Sequence, residues 1–220
     1  MSRIFEIDGY ALSEEVKIMR GGKVEFHPGV TVLMGCNGSG KTTFLSNVRK
    51  ELEATNTPFF DYDIFSADRK LSYAATMKGG MQAVGYLNST YMSEGEKIKE
   101  HMSQLAGNMG YFVNTECANE KEAWLLFDSL DSGWSIDNIK EFVDFLDGTV
   151  MENKPHQLDL YVLVAANAYE FTLPENWMLF DVQLCEHHDH FDSYGQYATF
   201  IMSKRRRKDA IWDEYYRGRK

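Results

Sequence analysis

Gly35-Cys36-Asn37-Gly38-Ser39-Gly40-Lys41-Thr42-Thr43 fits the pattern G-x-x-x-x-G-K-[ST] in full. Each residue type in it has a mechanical reason. Glycines let the backbone curl until consecutive N–H groups point inward at phosphate oxygens. The Lys41 ammonium supplies a point charge for β and γ phosphates, and the Thr42 hydroxyl is a ligand for Mg²⁺. A helix beginning here turns the positive end of its dipole toward the same phosphates. The stretch therefore predicts a loop that binds a nucleoside triphosphate through Gly35, Asn37, Gly38, Ser39, Gly40, Lys41, Thr42 and Thr43.

The flanks support that reading. Val30-Thr31-Val32-Leu33-Met34 is apolar and β-branched, as a buried parallel strand should be. On the other side Phe44, Leu45, Val48 and Leu52 recur at helical spacing. Strand, glycine loop and helix follow in the order the chemistry requires.

The 220 residues, 44% hydrophobic, suffice for one large domain with a substantial core. No run approaches the roughly 20 apolar residues of a membrane span, and the first residues lack the pattern of a secretory signal. Three scattered cysteines (Cys36, Cys117, Cys185) suggest a reducing, cytoplasmic setting. The net charge of −10 argues against a broadly basic, nucleic-acid-coating surface. Residues 204–220 nevertheless hold eight basic and three acidic side chains, a net +5 that leaves −15 on the rest.

Residues 3–34 read as short strands and turns, 57–66 as another apolar stretch, and 94–106 as a helix. Trp124-Leu125-Leu126-Phe127 and Leu160-Tyr161-Val162-Leu163-Val164 read as buried strands. Strands alternating with helices predict an α/β fold with a largely parallel sheet. The first of those two strands ends in Asp128, suited to hold a Mg²⁺ shell opposite Thr42. Leu179-Phe180-Asp181 is a second strand of the same form. Ser93 and Gly95, in Ser93-Glu94-Gly95-Glu96, sit at a predicted helix start, which is also an anion receptor.

Taken together these segments resemble an ABC-type (ATP-binding-cassette) ATPase. Gly35–Thr43 is similar to that family's Walker A loop, Ser93–Glu96 to its signature loop, and Leu125–Asp128 to its Walker B strand. Asp131-Ser132-Gly133 is similar to its D-loop, and Asn167 stands where the switch histidine belongs. The resemblance covers roughly residues 30–170. It implies a P-loop NTPase with a largely parallel sheet, an N-terminal antiparallel β subdomain and a small helical lobe at about 67–120, all in one domain over 1–220. It also implies ATP and Mg²⁺ as ligands. Two copies would sandwich the nucleotides head to tail, with Ser93 and Gly95 of each copy completing the other's site.

Two departures bear on activity. Where the family has a glutamate that polarises water, this chain has Ser129, and in place of the switch histidine it has Asn167. A positioned general base contributes roughly 10²–10⁴ in rate, so slow turnover or near-pure binding is expected. Asp131 either substitutes for the base or contacts the partner copy, leaving Asp128, Asp131 and Asn167 as the candidate catalytic residues. The serine–glycine–glutamate signature and the lack of a convincing Q-loop glutamine point toward the soluble branch that handles DNA ends and chromosomes. With only about fifty residues between loop and signature and no sustained heptads, the chain would lack that branch's coiled-coil arms. The expected role is an ATP-controlled dimer in DNA transactions, genome defence or a phage-related process. The alternatives are a non-hydrolysing switch that recruits a partner and a transporter's nucleotide-binding subunit.

Two further segments are read more plainly. Cys185-Glu186-His187-His188-Asp189-His190 reads as a solvated polar loop rather than a metal site. Ile211, Trp212, Tyr215 and Tyr216 predict a terminal amphipathic helix within the basic segment that docks on the body or on a partner. That segment is either a solvated counterweight to an acidic body or a contact for nucleic-acid phosphates or a protein partner.

Overall fold

A computed structural model describes residues 2–13, 16–63 and 94–217, with residues 94–99 described by backbone alone. Its centre is a six-stranded sheet built from β5 (Gly29–Met34), β6 (Phe59–Asp63), β7 (Glu122–Asp128), β8 (Asp159–Ala165), β9 (Met178–Asp181) and β10 (Glu186–His188). The spatial order is β10-β9-β5-β8-β7-β6. All neighbouring pairs are parallel except β9 with β10. The expected mixed α/β architecture with a mostly parallel sheet is thus present.

The long apolar runs resolve into two faces by the two-residue period of a strand. Ala123, Leu125 and Phe127 of β7 and Leu160, Val162 and Val164 of β8 enter one core cluster. Trp124, Leu126, Tyr161, Leu163 and Ala165 enter the other. Both faces are covered, which is why these strands carry no polar alternation. On the second face Trp124 stacks on Tyr161 with ring centroids 4.3 Å apart and planes within 5°. Helix α1 (Lys41–Ala54) buries Phe44, Leu45, Val48 and Leu52 in the same cluster, as its spacing requires. Helices α2 (Glu94–Tyr111) and α3 (Ile136–Phe145) contribute to the first cluster through Leu105, Met109, Ile139 and Phe142.

Ahead of the sheet, β1 (Arg3–Ile7) pairs antiparallel with β4 (Gly22–Phe26), and β2 (Tyr10–Ala11) pairs antiparallel with β3 (Lys17–Met19). Phe5, Met19 and Phe26 from this region pack into the second cluster. Of the expected helical lobe at 67–120, residues 64–93 lie outside the described residues. The remainder is α2, running five residues past the predicted end at 106, and a π-helical turn over Phe112–Glu116.

The C-terminal region departs from the solvated-counterweight expectation. Helix α4 (Tyr194–Arg217) begins ten residues before the basic run and is not a wholly solvated counterweight. Lys204 is buried and forms an ion pair with Asp181, whose side chain is 3% exposed. A carboxylate closed off at the end of β9 needs a cation, and Lys204 supplies it. The Cys185–His190 stretch is not an open loop either. Glu186–His188 forms the edge strand β10, and the His190 ring nitrogens face the carbonyls of Thr172 (3.2 Å) and Trp177 (2.9 Å). Among the described residues, no group of three or more His, Cys, Asp or Glu is placed to hold a metal ion. No helix among them is long and apolar enough to cross a membrane.

Candidate functional site

Strand order brings the site together. β8 lies between β5 and β7, and the register aligns Leu33 with Ala165, Ala165 with Asp128, and Asp128 with Asp63. The segments leaving these strands therefore emerge side by side at the carboxyl edge of the sheet, where open parallel sheets carry their sites. They are the glycine loop after β5, Asn167 after β8 and Ser129 after β7.

The loop folds as the motif demands. A Cβ on Gly35 would fall 2.4 Å from Ser39 Oγ, so only glycine fits there. Gly40 caps α1 with φ of +105°, a left-handed conformation that a side chain would strain. Ser39 N donates to Cys36 O at 3.0 Å, closing the curl. The Ser39 hydroxyl is buried without a hydrogen-bond partner among the described residues. Beside the loop opens a cleft of about 260 Å³, walled by Asn37, Gly38, Gly40, Lys41, Thr42 and Thr43 on one side and by Asp128, Ser129 and Asn167 on the other. That volume suits a phosphate chain better than a whole nucleotide, for which sites of about 300–1,000 Å³ are usual.

Lys41 is the hub. Its ammonium donates to Gly35 O at 2.7 Å and to Asn167 Oδ1 at 2.8 Å. Burial pulls its pKa below the ordinary lysine value, against the opposing pull of Asp131, Cys36 and Asp128. An amide oxygen at position 167 can accept from this ammonium, whereas a protonated imidazole would repel it. Asn167 is fixed on two further sides. Its backbone N–H donates to Asp131 Oδ2 at 2.7 Å, and its carbonyl accepts from the Tyr197 hydroxyl of α4. Asp131 is thus engaged within its own chain, holding the residue that faces Lys41, and is not part of the cleft wall.

Asp128 sits at the far side, 7% exposed. Burial raises its carboxyl pKa and the nearby Asp63 raises it further, while hydrogen bonds from Thr42 and Ser129 and the charge of Lys41 act the other way. Ser129 Oγ donates to Asp128 Oδ1 at 3.3 Å. The Ser129 backbone is left-handed, with φ of +56°, a strained geometry for a non-glycine residue of the kind that concentrates at functional sites. The other candidate strand end, Asp181, lies across β5 and is occupied by Lys204, so only Asp128 reaches the cleft. Thr42 and Asp128 offer a hard hydroxyl and a hard carboxylate in contact, with a desolvated negative charge that a cation would relieve. That donor set fits Mg²⁺, which takes few protein ligands and keeps water and phosphate oxygens for the rest.

The desolvated carboxylate has a consequence for stability. The folded chain holds the Asp128 proton more tightly than the unfolded chain does, so the cost is fully present at neutral pH and fades as pH falls through the raised pKa. Asp128→Asn is expected to stabilise the ligand-free protein at pH 7 by about 0.5–2 kcal/mol, a shift of a few degrees. The advantage should shrink on titration toward pH 4. Melting curves across that range check it; a variant less stable than the unsubstituted chain at pH 7 contradicts it.

Cys36 is buried and its thiol is pushed up chiefly by that burial, so its surroundings oppose thiolate formation despite Lys208 and Lys41 nearby. Ser93 lies outside the described residues, and Gly95 is placed only as backbone in the first turn of α2. Three residues at or beside the site carried no sequence signal. Tyr10 lines the cleft from the β2–β3 hairpin, Asp63 faces Asp128 from β6, and Lys208 touches the loop from α4. Strand pairing and helix docking bring them in, so no local pattern marks them. No protein-family model matches the chain, and no curated protein matches it either.

Proposed function

We propose that this chain is an ABC-type P-loop protein that binds ATP with Mg²⁺ and closes head to tail on a second copy, with slow hydrolysis. The observation that carries the reading is the single cleft in which Lys41, Thr42, Asp128 and Asn167, far apart in sequence, face one another beside the glycine loop. The loop amides and Lys41 bind phosphate, and Thr42 with Asp128 holds the cation. When bound, Mg²⁺ neutralises charge on the phosphate oxygens. Ser93 and Gly95 would complete the partner copy's site, and ATP would favour the dimer by binding the closed form preferentially. The setting would be cytoplasmic, and the process a DNA transaction, genome defence or a phage-related one. Arg205, which pairs with Asp209 at 3.8 Å, and Arg206 are both exposed and can meet phosphate or protein.

A second reading, a switch that binds ATP without turning it over, is favoured by Ser129, which cannot act as a base near neutral pH and is already committed to Asp128. One experiment addresses both. Light scattering after size exclusion should show the mass doubling with Mg²⁺ and a non-hydrolysable ATP analogue, and phosphate release should be slow. A monomer at saturating analogue rules out the sandwich. A steady turnover that disappears in Asp128→Asn rules out the pure switch.

A further inference from the structure

Helix α4 bears on the glycine loop at one point that the proposed phosphate chemistry does not use. Tyr197, Lys204 and Lys208 stand at spacings of seven and four residues, which places them on one helical face. Each engages a different segment at the carboxyl edge of the sheet. Tyr197 donates to Asn167 O, Lys204 pairs with Asp181 at the end of β9, and Lys208 Nζ donates to Asn37 O at 2.9 Å. Lys208 is 19% exposed, lies 3.8 Å from where a Cβ on Gly38 would stand, and has Asp209 as an ion-pair neighbour at 3.8 Å.

The contact on Asn37 O has a consequence for the next amide. In a trans peptide the C=O of one residue and the N–H of the following one point in opposite directions and turn as a unit. With the Asn37 carbonyl drawn toward α4, the Gly38 N–H is turned away from it. Gly38 lines the cleft. Were that peptide to flip, a carbonyl dipole would replace an N–H donor at the phosphate site, turning an attraction into a repulsion. A glycine at 38 leaves such a flip sterically open, so the orientation needs an external hold, and the ammonium supplies a charge-assisted one.

We propose that Lys208 is a positioning residue for phosphate binding, fixing the Asn37–Gly38 peptide so that its N–H faces the phosphate chain. The inference rests on the phosphate-site reading above. Lys208 itself touches no substrate in this role. It explains why a lysine of the basic run is turned inward instead of serving the outer surface.

The test compares the unsubstituted protein with Lys208→Met, Lys208→Arg and Lys41→Ala. Binding of Mg²⁺–ATPγS and of pyrophosphate is followed by calorimetry, and the Gly38 amide by NMR. Lys208→Met should weaken both ligands roughly tenfold, the scale of one charge-assisted hydrogen bond, and Lys208→Arg should restore most of the loss. The Gly38 amide resonance should shift on pyrophosphate addition in the unsubstituted protein and in Lys208→Arg, and shift much less at saturating pyrophosphate in Lys208→Met, a difference that a mere helix tether would not produce. Unchanged affinity in Lys208→Met, or a Gly38 amide indifferent to pyrophosphate in a protein that binds it, overturns the inference alone. Absence of binding by the unsubstituted protein, or full binding by Lys41→Ala, overturns the phosphate-site reading and this inference with it.

Discussion

Lys41→Ala is expected to abolish measurable Mg²⁺–ATP binding, a loss of at least about 100-fold if two charge-assisted hydrogen bonds to phosphate disappear together. The Lys41 ammonium donates to Gly35 O and Asn167 Oδ1, both acceptors that a triphosphate can replace. Its pKa is pulled down by burial, so the site holds a cation short of solvation. A phosphate chain relieves that shortage, which is why the lysine gains more from the ligand than an exposed one would. Removing it also removes a desolvated charge, so the variant should melt within a few degrees of the unsubstituted protein. Calorimetric titration checks the affinity, and a thermal scan shows that the fold survives. Retained affinity would dismiss the glycine loop as the phosphate site.

The largest effect on stability is expected at Lys204. Its partner Asp181 is 3% exposed, and Asp181 Oδ1 also accepts from Gln183 N at 3.0 Å. Lys204→Met leaves that carboxylate buried without a cation, a change that costs about 3–5 kcal/mol. Against the roughly 5–15 kcal/mol that holds a typical domain together, this is a large share. The penalty belongs to the orphaned charge more than to the lost attraction. Adding Asp181→Asn to the same chain should therefore recover most of it, because a neutral amide is far cheaper to bury. Urea unfolding of the single and double variants separates the two contributions. A single variant as stable as the unsubstituted chain, or a double variant no better than the single, contradicts the ion-pair account.

Local pattern carries far in this chain, and then stops. Gly35–Thr43 between a β-branched strand and an apolar helical stripe was readable because loop, strand and helix are consecutive, and each obeys a short-range rule of φ, period or propensity. The strands at 122–128 and 159–165 were readable for the same reason, and so was the aspartate that ends the first. The segment at 185–190 misled because its polarity suits an exposed loop equally well. Its pairing with β9 depends on a neighbour that composition does not reveal. The basic run misled because charge alone does not tell which lysines have a buried carboxylate waiting, and Lys204 does.

The chain's composition and motif order thus define a glycine-rich loop, the strands around it and a mixed α/β class, all properties of residues close together along the backbone. Which side chains face that loop was decided elsewhere. The insertion of β8 between β5 and β7 sets Asn167 against Lys41 across 126 residues, and the docking of α4 sets Lys208 against Asn37 across 171. Neither contact has a local signature, because each arises only when burial of two apolar sheet faces has chosen the strand order and a buried carboxylate has pinned the last helix.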